Sequence, residues 1–203
     1  MKSVLLAFLF VLFMSAPVCA AQEAEVGKPA PDFTLTDTYN HARHLHDYLG
    51  KTVVLEWTNH ECPYVKKQYG GGAMQALQKE ATGQGVIWLS IVSSARGEQG
   101  FTDIGQANAV IAQTGAAATA RLLDFDGAVG RLYGAKTTPH MFIIDKNGIL
   151  AYAGAIDDAP STDPATLVNA KNYVRAALAD LAAGQPVATP LTNPYGCSVK
   201  YGD

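Results

Sequence analysis

The sequence predicts an α/β chain: a central mixed β-sheet with helices on both faces. Three observations carry this reading. Candidate strands and helices alternate along the chain, the order that sets helices against a sheet. The runs "TVVLEW", "GVIWLSIV" and "HMFIID" are β-rich and nearly continuous in apolar residues, as buried strands are. Lys146-Asn147-Gly148 separates "HMFIID" from "ILAYAG", and Asn-Gly suits a tight hairpin turn, so one strand pair is antiparallel.

Taken in order, residues 21–31 form a polar and then Pro-rich leader, and "DFTLTD" is a short strand. "HARHLHDYLGK" reads as loop or turn ending in Gly50, and "TVVLEW" as a buried strand. Pro63 opens a helix through Gln68, stopped by Gly70-Gly71-Gly72, since glycine costs a helix roughly 1 kcal/mol per residue relative to Ala. "AMQALQKEAT" resumes the helical period, and "GVIWLSIV" is the next strand. After the loop "SSARGEQGFTD" comes the helix "IGQANAVIAQTG", which ends at Gly115. "RLLDFD" is a short strand and "GAVGRLYGA" a helical turn, followed by the hairpin. Asp163 and Pro164 are N-cap and first-turn residues of a final helix through Leu181. The tail from Gly184 has three prolines and little periodicity. With no internal repeat and no second domain, the expected organisation is a signal segment over 1–20, one domain over 21–183, and a tail over 184–203 carrying Cys197.

Of the 203 residues, 48% are hydrophobic and 16% charged, enough apolar surface for a sizeable core and too little charge for disorder. Net charge is -3, from 15 basic and 18 acidic residues, so nothing suggests a polyanion and no nucleic-acid partner is expected. Lys2, the apolar run "VLLAFLFVLFM" and small residues Val18 and Ala20 have the order of a cleavable export signal. The run is short for a bilayer span, so no membrane span is expected after cleavage and the destination is periplasmic or secreted. Cys19 is not expected to carry lipid, because Val18 is a poor residue before a lipoprotein cysteine. Cleavage after Ala20 leaves Cys62 and Cys197 alone in an oxidising compartment, where two cysteines invite pairing.

At "VVLEWTNHECPYVKK" and "TTPHMFIIDKNG" the chain resembles the thioredoxin-like superfamily, and more closely its redoxin or peroxiredoxin-like branch of alkyl hydroperoxide reductase/thiol-specific antioxidant type. The resemblance covers roughly Gly27 to Leu181. It implies a thioredoxin-like fold with a reactive cysteine, Cys62, at the N-terminus of the first long helix, just before Pro63. It implies a cis-proline, Pro139 after Thr138, beside the active site, where an extended substrate could bind as an added strand. Glu56 falls where many thioredoxins bury an acid. It is either a proton carrier near Cys62 or a strand residue whose carboxylate reaches solvent. Val65 fills the position of the usual second cysteine. Asn59 stands where peroxiredoxins carry Thr (Thr58 is one place off), and Pro139 stands where they use Arg.

The chemistry expected of Cys62 is that of a thiolate. A helix N-terminus lowers a thiol pKa, and Lys66 and Lys67 on the next turn add positive potential. A nucleophilic cysteine needs a resolving thiol, and Cys197 in "NPYGCSVKY" is the remaining candidate. The pair is otherwise a structural staple or does not form at all. The partners implied are a protein thiol or disulfide and an external thiol reductant or oxidant, with no cofactor and no metal. The His41, His44 and His46 set is too loosely spaced for a metal site and reads as solvated loop residues. His60 and His140 flank the cysteine turn and line a cleft or tune the thiol, while Trp57 and Trp88 read as core. Three functions follow: an exported thiol–disulfide oxidoreductase, a thiol peroxidase, and a non-catalytic binding module with a permanent disulfide. Cleavage after Ala20 predicts that intact mass of the exported protein places its N-terminus at Ala21; a chain beginning at a lipidated Cys19 would overturn this.

Overall fold

The computed structural model describes residues 23–202, so the segment expected to be an export signal lies outside the described residues. Strand β1 (Thr34–Asp37) turns back into β2 (Ala42–His44) and a 3-10 turn, Leu45–Tyr48. Then come β3 (Val53–Trp57), α1 (Pro63–Gly70), α2 (Ala73–Gly83), β4 (Ile87–Val92), α3 (Ile104–Thr114), β5 (Ala120–Leu123) and α4 (Ala128–Leu132). They are followed by β6 (Thr137–Thr138), β7 (His140–Ile144), β8 (Leu150–Gly154), a 3-10 turn over Pro164–Asn169, α5 (Tyr173–Ala182) and β9 (Cys197–Ser198). The main sheet runs β2-β1-β5-β4-β3-β7-β8, and β6 pairs with β9 apart from it. Strands β3, β4 and β5 are mutually parallel, and β7 and β8 add antiparallel beyond β3. This is the thioredoxin-like α/β architecture that the resemblance implied.

The two-residue period of the strands sorts their side chains into two cores. Val53, Leu55, Trp57, Leu89, Ile91, Phe142 and Ile144 face one side, against α4 residue Val129, Tyr133 and the N-terminal segment through Phe33. Val54, Trp88, Met141, Ile143 and Tyr152 face the other, against Val65 and Tyr69 of α1, Met74 and Leu77 of α2, and Val174 and Leu178 of α5. Helix α3 starts with a capping box: Asp103 accepts from the Gln106 amide and the Gln106 side chain accepts from the Asp103 amide, a device worth about 1 kcal/mol.

Two expectations change. The segment read as loop before β3 contains β2, whose three residues pair in register with β1 through Thr34↔His44 and Thr36↔Ala42. So short an edge strand has too few residues to show a period. The final helix is two pieces. Asp163 caps the 3-10 turn as expected, but residues 170–172 leave helical geometry because Asp157 and Asn172 form a β-bridge and the Lys171 amide donates to Asp158. Asn172 then caps α5 by accepting from the Arg175 amide. The C-terminal tail docks along the molecule and brings Cys197 beside Cys62, as its candidacy for the resolving thiol required.

Glu56 of β3 is fully buried, and its carboxylate accepts from Tyr69 (2.8 Å), Gln78 (3.0 Å) and the Trp88 indole (2.8 Å). The expectation of a solvent-reaching carboxylate therefore fails. Burial pushes its pKa up, outweighing those donors and the Arg121 charge. A raised carboxyl pKa gives stability that is fully present below the ordinary carboxylate value and is lost as pH rises through the folded one. Glu56→Gln keeps a neutral side chain there at any pH, so it should stabilise the protein at pH 8 relative to its effect at pH 5. Urea denaturation at both values tests this, and an equal effect at the two would remove the assignment.

Candidate active site

Cys62 is held from three directions. Beyond β3 the Thr58 amide bonds Ile91, and Asn59 then turns the chain: its Oδ1 accepts from the Glu61 amide, its carbonyl accepts from the Cys62 amide, and its Nδ2 donates to the Gln99 carbonyl. Cys62 is thereby the N-cap of α1, with φ -65° and ψ 126°, and Pro63 occupies the first turn, where no backbone N–H is needed. Asn59 thus positions the turn through backbone contacts and points its amide toward the Gln99 loop. From the second side comes Thr138, which precedes a cis Pro139; its carbonyl oxygen lies 3.1 Å from the Cys62 sulfur.

The third side is the tail. Strand β9 pairs antiparallel with β6 through Thr138↔Cys197 and Thr137↔Ser198. This brings the Cys197 sulfur to 2.8 Å from that of Cys62, both cysteines being free. Gly196 makes the approach sterically allowed. Its φ is 144°, and a Cβ there would lie 2.1 Å from the Thr138 carbonyl oxygen. One residue earlier Tyr195 is anchored. Its hydroxyl donates to Asp157, accepts from Lys67 (3.3 Å), and its ring meets Tyr64 edge-on at 5.7 Å. Asp157 also accepts from Gln68 (2.6 Å), while Lys67 donates to the Ala159 carbonyl (2.6 Å). Beyond β9, Tyr201 donates to the Ala135 carbonyl and Arg131 covers its ring at 4.7 Å.

The two thiols differ in acidity. Burial by itself raises Cys62, but hydrogen bonds from Cys197 and Thr138 and the first-turn amide of Val65 outweigh it and hold Cys62 below the ordinary thiol value. Cys197 moves the other way, pushed up to about 11 by burial and then by its hydrogen bond to Cys62 and the charge on it. Of the two, Cys62 is therefore the thiol that gives up its proton more readily.

Other expected residues sit elsewhere. Lys67 does not lend its charge to the thiol: its side chain is buried against Asp157 at 3.9 Å and Tyr195. The bonds made by Glu56 stay under α1 and α2, and none reaches Cys62. His140 is kept neutral, its pKa lowered to about 3 by burial and by Lys136, and its Nδ1 accepts from the Lys136 amide. His60 lines a neighbouring cleft. His44 bonds Thr34 and His46 bonds Asp32, and among the described residues no three His, Cys, Asp or Glu side chains gather as metal ligands. Trp57 and Trp88 are core residues that also donate, to Ser93 and Glu56. Asp157 joins Tyr195 and Gly196 in the clamp without any local sequence signal of its own, because its partner Tyr195 lies 38 residues away.

A family model described as "AhpC/TSA family" matches residues 26–153. No curated protein matches the chain. Among solved structures, a hypothetical protein from Sinorhizobium meliloti 1021 is similar at 24% identity and TM-score 0.75, covering 89% of this chain and 97% of its own. An uncharacterized conserved protein from Geobacillus kaustophilus is also 24% identical at TM-score 0.75, with 93% and 98% covered. A Chlorobium tepidum structure provisionally assigned as the thiol:disulfide interchange protein DsbE is 26% identical at TM-score 0.53, with 64% and 85% covered.

If the Cys197 contact holds Cys62 ionised, the alkylation midpoint of reduced Cys62 falls below the free-cysteine value of about 8.5. Gly196→Val, which drives β9 off Thr138, should move that midpoint upward, as should Cys197→Ala. Midpoints that stay put in both variants would remove the tail from the account of Cys62 acidity.

Proposed function

We propose that this chain, which belongs to the AhpC/TSA family, is an exported thiol–disulfide oxidoreductase, periplasmic or secreted, in which Cys62 attacks and Cys197 resolves. One observation carries the reading: two free sulfurs 2.8 Å apart whose acidities are pushed in opposite directions. Redox chemistry of the thiol–disulfide kind is common to the superfamily, and the Cys62 and Cys197 roles are our assignment.

The steps balance as follows. The Cys62 thiolate attacks one sulfur of a partner disulfide, forming a mixed disulfide and releasing one partner sulfur as thiolate, which takes up a proton. Cys62 then carries no charge, so the parts of the Cys197 shift that come from Cys62 disappear and its thiol becomes easier to ionise. The Cys197 thiolate attacks Cys62, the mixed disulfide breaks, and the second partner sulfur leaves. Two electrons have passed to the partner, and the Cys62–Cys197 disulfide awaits an external thiol. Run backward, the same steps oxidise a dithiol. Cys62 has no exposed surface, so the tail must lift for a partner to reach it. The β6 edge it vacates is where an extended partner segment would pair.

Peptide mapping of air-oxidised protein should find the Cys62–Cys197 link. Its reduction potential should lie above the roughly -300 mV below which structural bridges resist reduction. Cys62→Ser should abolish disulfide exchange, and Cys197→Ser should accumulate the mixed disulfide. A bridge that resists reduction below that potential would favour a binding module. The family membership also supports a thiol peroxidase; hydrogen peroxide consumption faster than disulfide exchange would decide for it.

A further inference from the structure

A cleft of about 670 Å³ opens beside α1, on the far side of Lys66 and Val65 from the tail, and Cys62 does not line it. At its base is Arg121 of β5, only 4% exposed. Among the described residues its Nε has no hydrogen-bond partner, and no ion pair includes it. Buried guanidinium groups are ordinarily paired, because removing the charge from water costs stability that only a partner offsets.

The sheet does not supply that partner. Register places Glu56, Ser90 and Arg121 in one row across β3, β4 and β5, with the Glu56 and Arg121 backbones two strands, about 10 Å, apart; the Arg121 charge acts on Glu56 through space, without an ion pair or hydrogen bond between them. The two Glu56 oxygens are already taken by Tyr69, Gln78 and Trp88. Gln75 also lines the cleft and carries a second unmatched polar atom. Gln75 donates both of its bonds to the Tyr69 and Thr114 carbonyls, and its buried Oε1 accepts from nothing among the described residues. Val65 and Val110 supply apolar wall, Lys66 is exposed at the rim, and Gly70 and Gly71 leave the mouth free of side chains.

A planar fork of donors beside an unpaired acceptor and apolar wall matches a molecule with a carboxylate, an adjacent donor and a hydrocarbon body. We propose that this cleft binds a small organic hydroxy-carboxylate, its carboxylate on Arg121 and its hydroxyl on Gln75. The site stands independently of the thiol chemistry. The volume is that of ordinary small-molecule sites, and the valine walls favour an organic body over inorganic phosphate.

The test titrates the reduced mature protein with sodium mandelate, sodium benzoate and sodium phosphate, followed by amide NMR. Mandelate should saturate and shift the Gly70–Gly72 signals, benzoate should bind more weakly for want of the hydroxyl, and phosphate should not saturate. Arg121→Met should weaken mandelate by about tenfold or more while raising the melting temperature of the ligand-free protein, since it removes an unpaired buried charge. Lys66→Glu, on an exposed position that should leave the fold intact, should weaken mandelate severalfold, and it decides the matter if Arg121→Met does not fold. Absence of saturation by mandelate, phosphate binding as tightly as mandelate, or mandelate binding indifferent to these substitutions would each overturn the proposal.

Discussion

The candidate site depends on the close approach of the Gly196 backbone to the Thr138 carbonyl, which leaves no room for a side chain at residue 196. Two β-bridges, Thr138↔Cys197 and Thr137↔Ser198, would be a weak strand pair alone. They persist because the chain is pinned on both sides of them. Upstream, Tyr195 is bonded to Asp157 and Lys67; downstream, the Val199 amide donates to Lys136, the Ala95 amide donates to Lys200, and Tyr201 packs against Gly127 and Gly130. A tail anchored twice pays little further entropy to align Cys197 with Cys62. The same anchoring covers the thiol, so the segment that brings Cys197 to Cys62 also closes access to it.

Buried charge in this chain is handled in three distinct ways. Glu56 is surrounded by three donors and lifted by desolvation, so neutralisation and hydrogen bonding share the work. Lys67 and Asp157 are opposed and bonded to carbonyl, phenol and amide groups, which ties α1 to the segment after β8 and to the tail. Losing one member of such a set leaves a buried charge uncompensated, a change of several kcal/mol in typical cases. Arg121 belongs to neither pattern: among the described residues its Nε has no hydrogen-bond partner and no ion pair includes it, and its charge reaches Glu56 only through space. The contrast, more than the cleft itself, marks the site beside α1 as one that a ligand completes.

The strands, the first helix, the hairpin and the placement of Cys62 before Pro63 were legible from residue order, because each rests on interactions within a few positions: β-rich apolar runs, a proline that suits a first turn, an Asn-Gly turn. Where short-range signals were weak the reading slipped. The three-residue β2 and the break at residues 170–172 are imposed by partners, β1 in one case and the Asp157 bridge in the other. Lys67 looked like a helix-surface charge near the thiol, and no local pattern distinguishes a lysine facing solvent from one facing a buried aspartate 90 residues on.

The three cysteines of the sequence, with Cys19 in the segment expected to be removed on export, and the length of the tail pointed to Cys197 as the candidate partner of Cys62 and gave a chain long enough to bring it. Tertiary structure decided the rest: that β9 enters beside β6, that Gly196 permits the approach, and that Cys62 is the more acidic thiol. The physical reason is range. Backbone preferences act over a few residues and are written locally. A thiol's acidity and a buried ion's pairing depend on atoms that only the folded chain brings within a few ångströms.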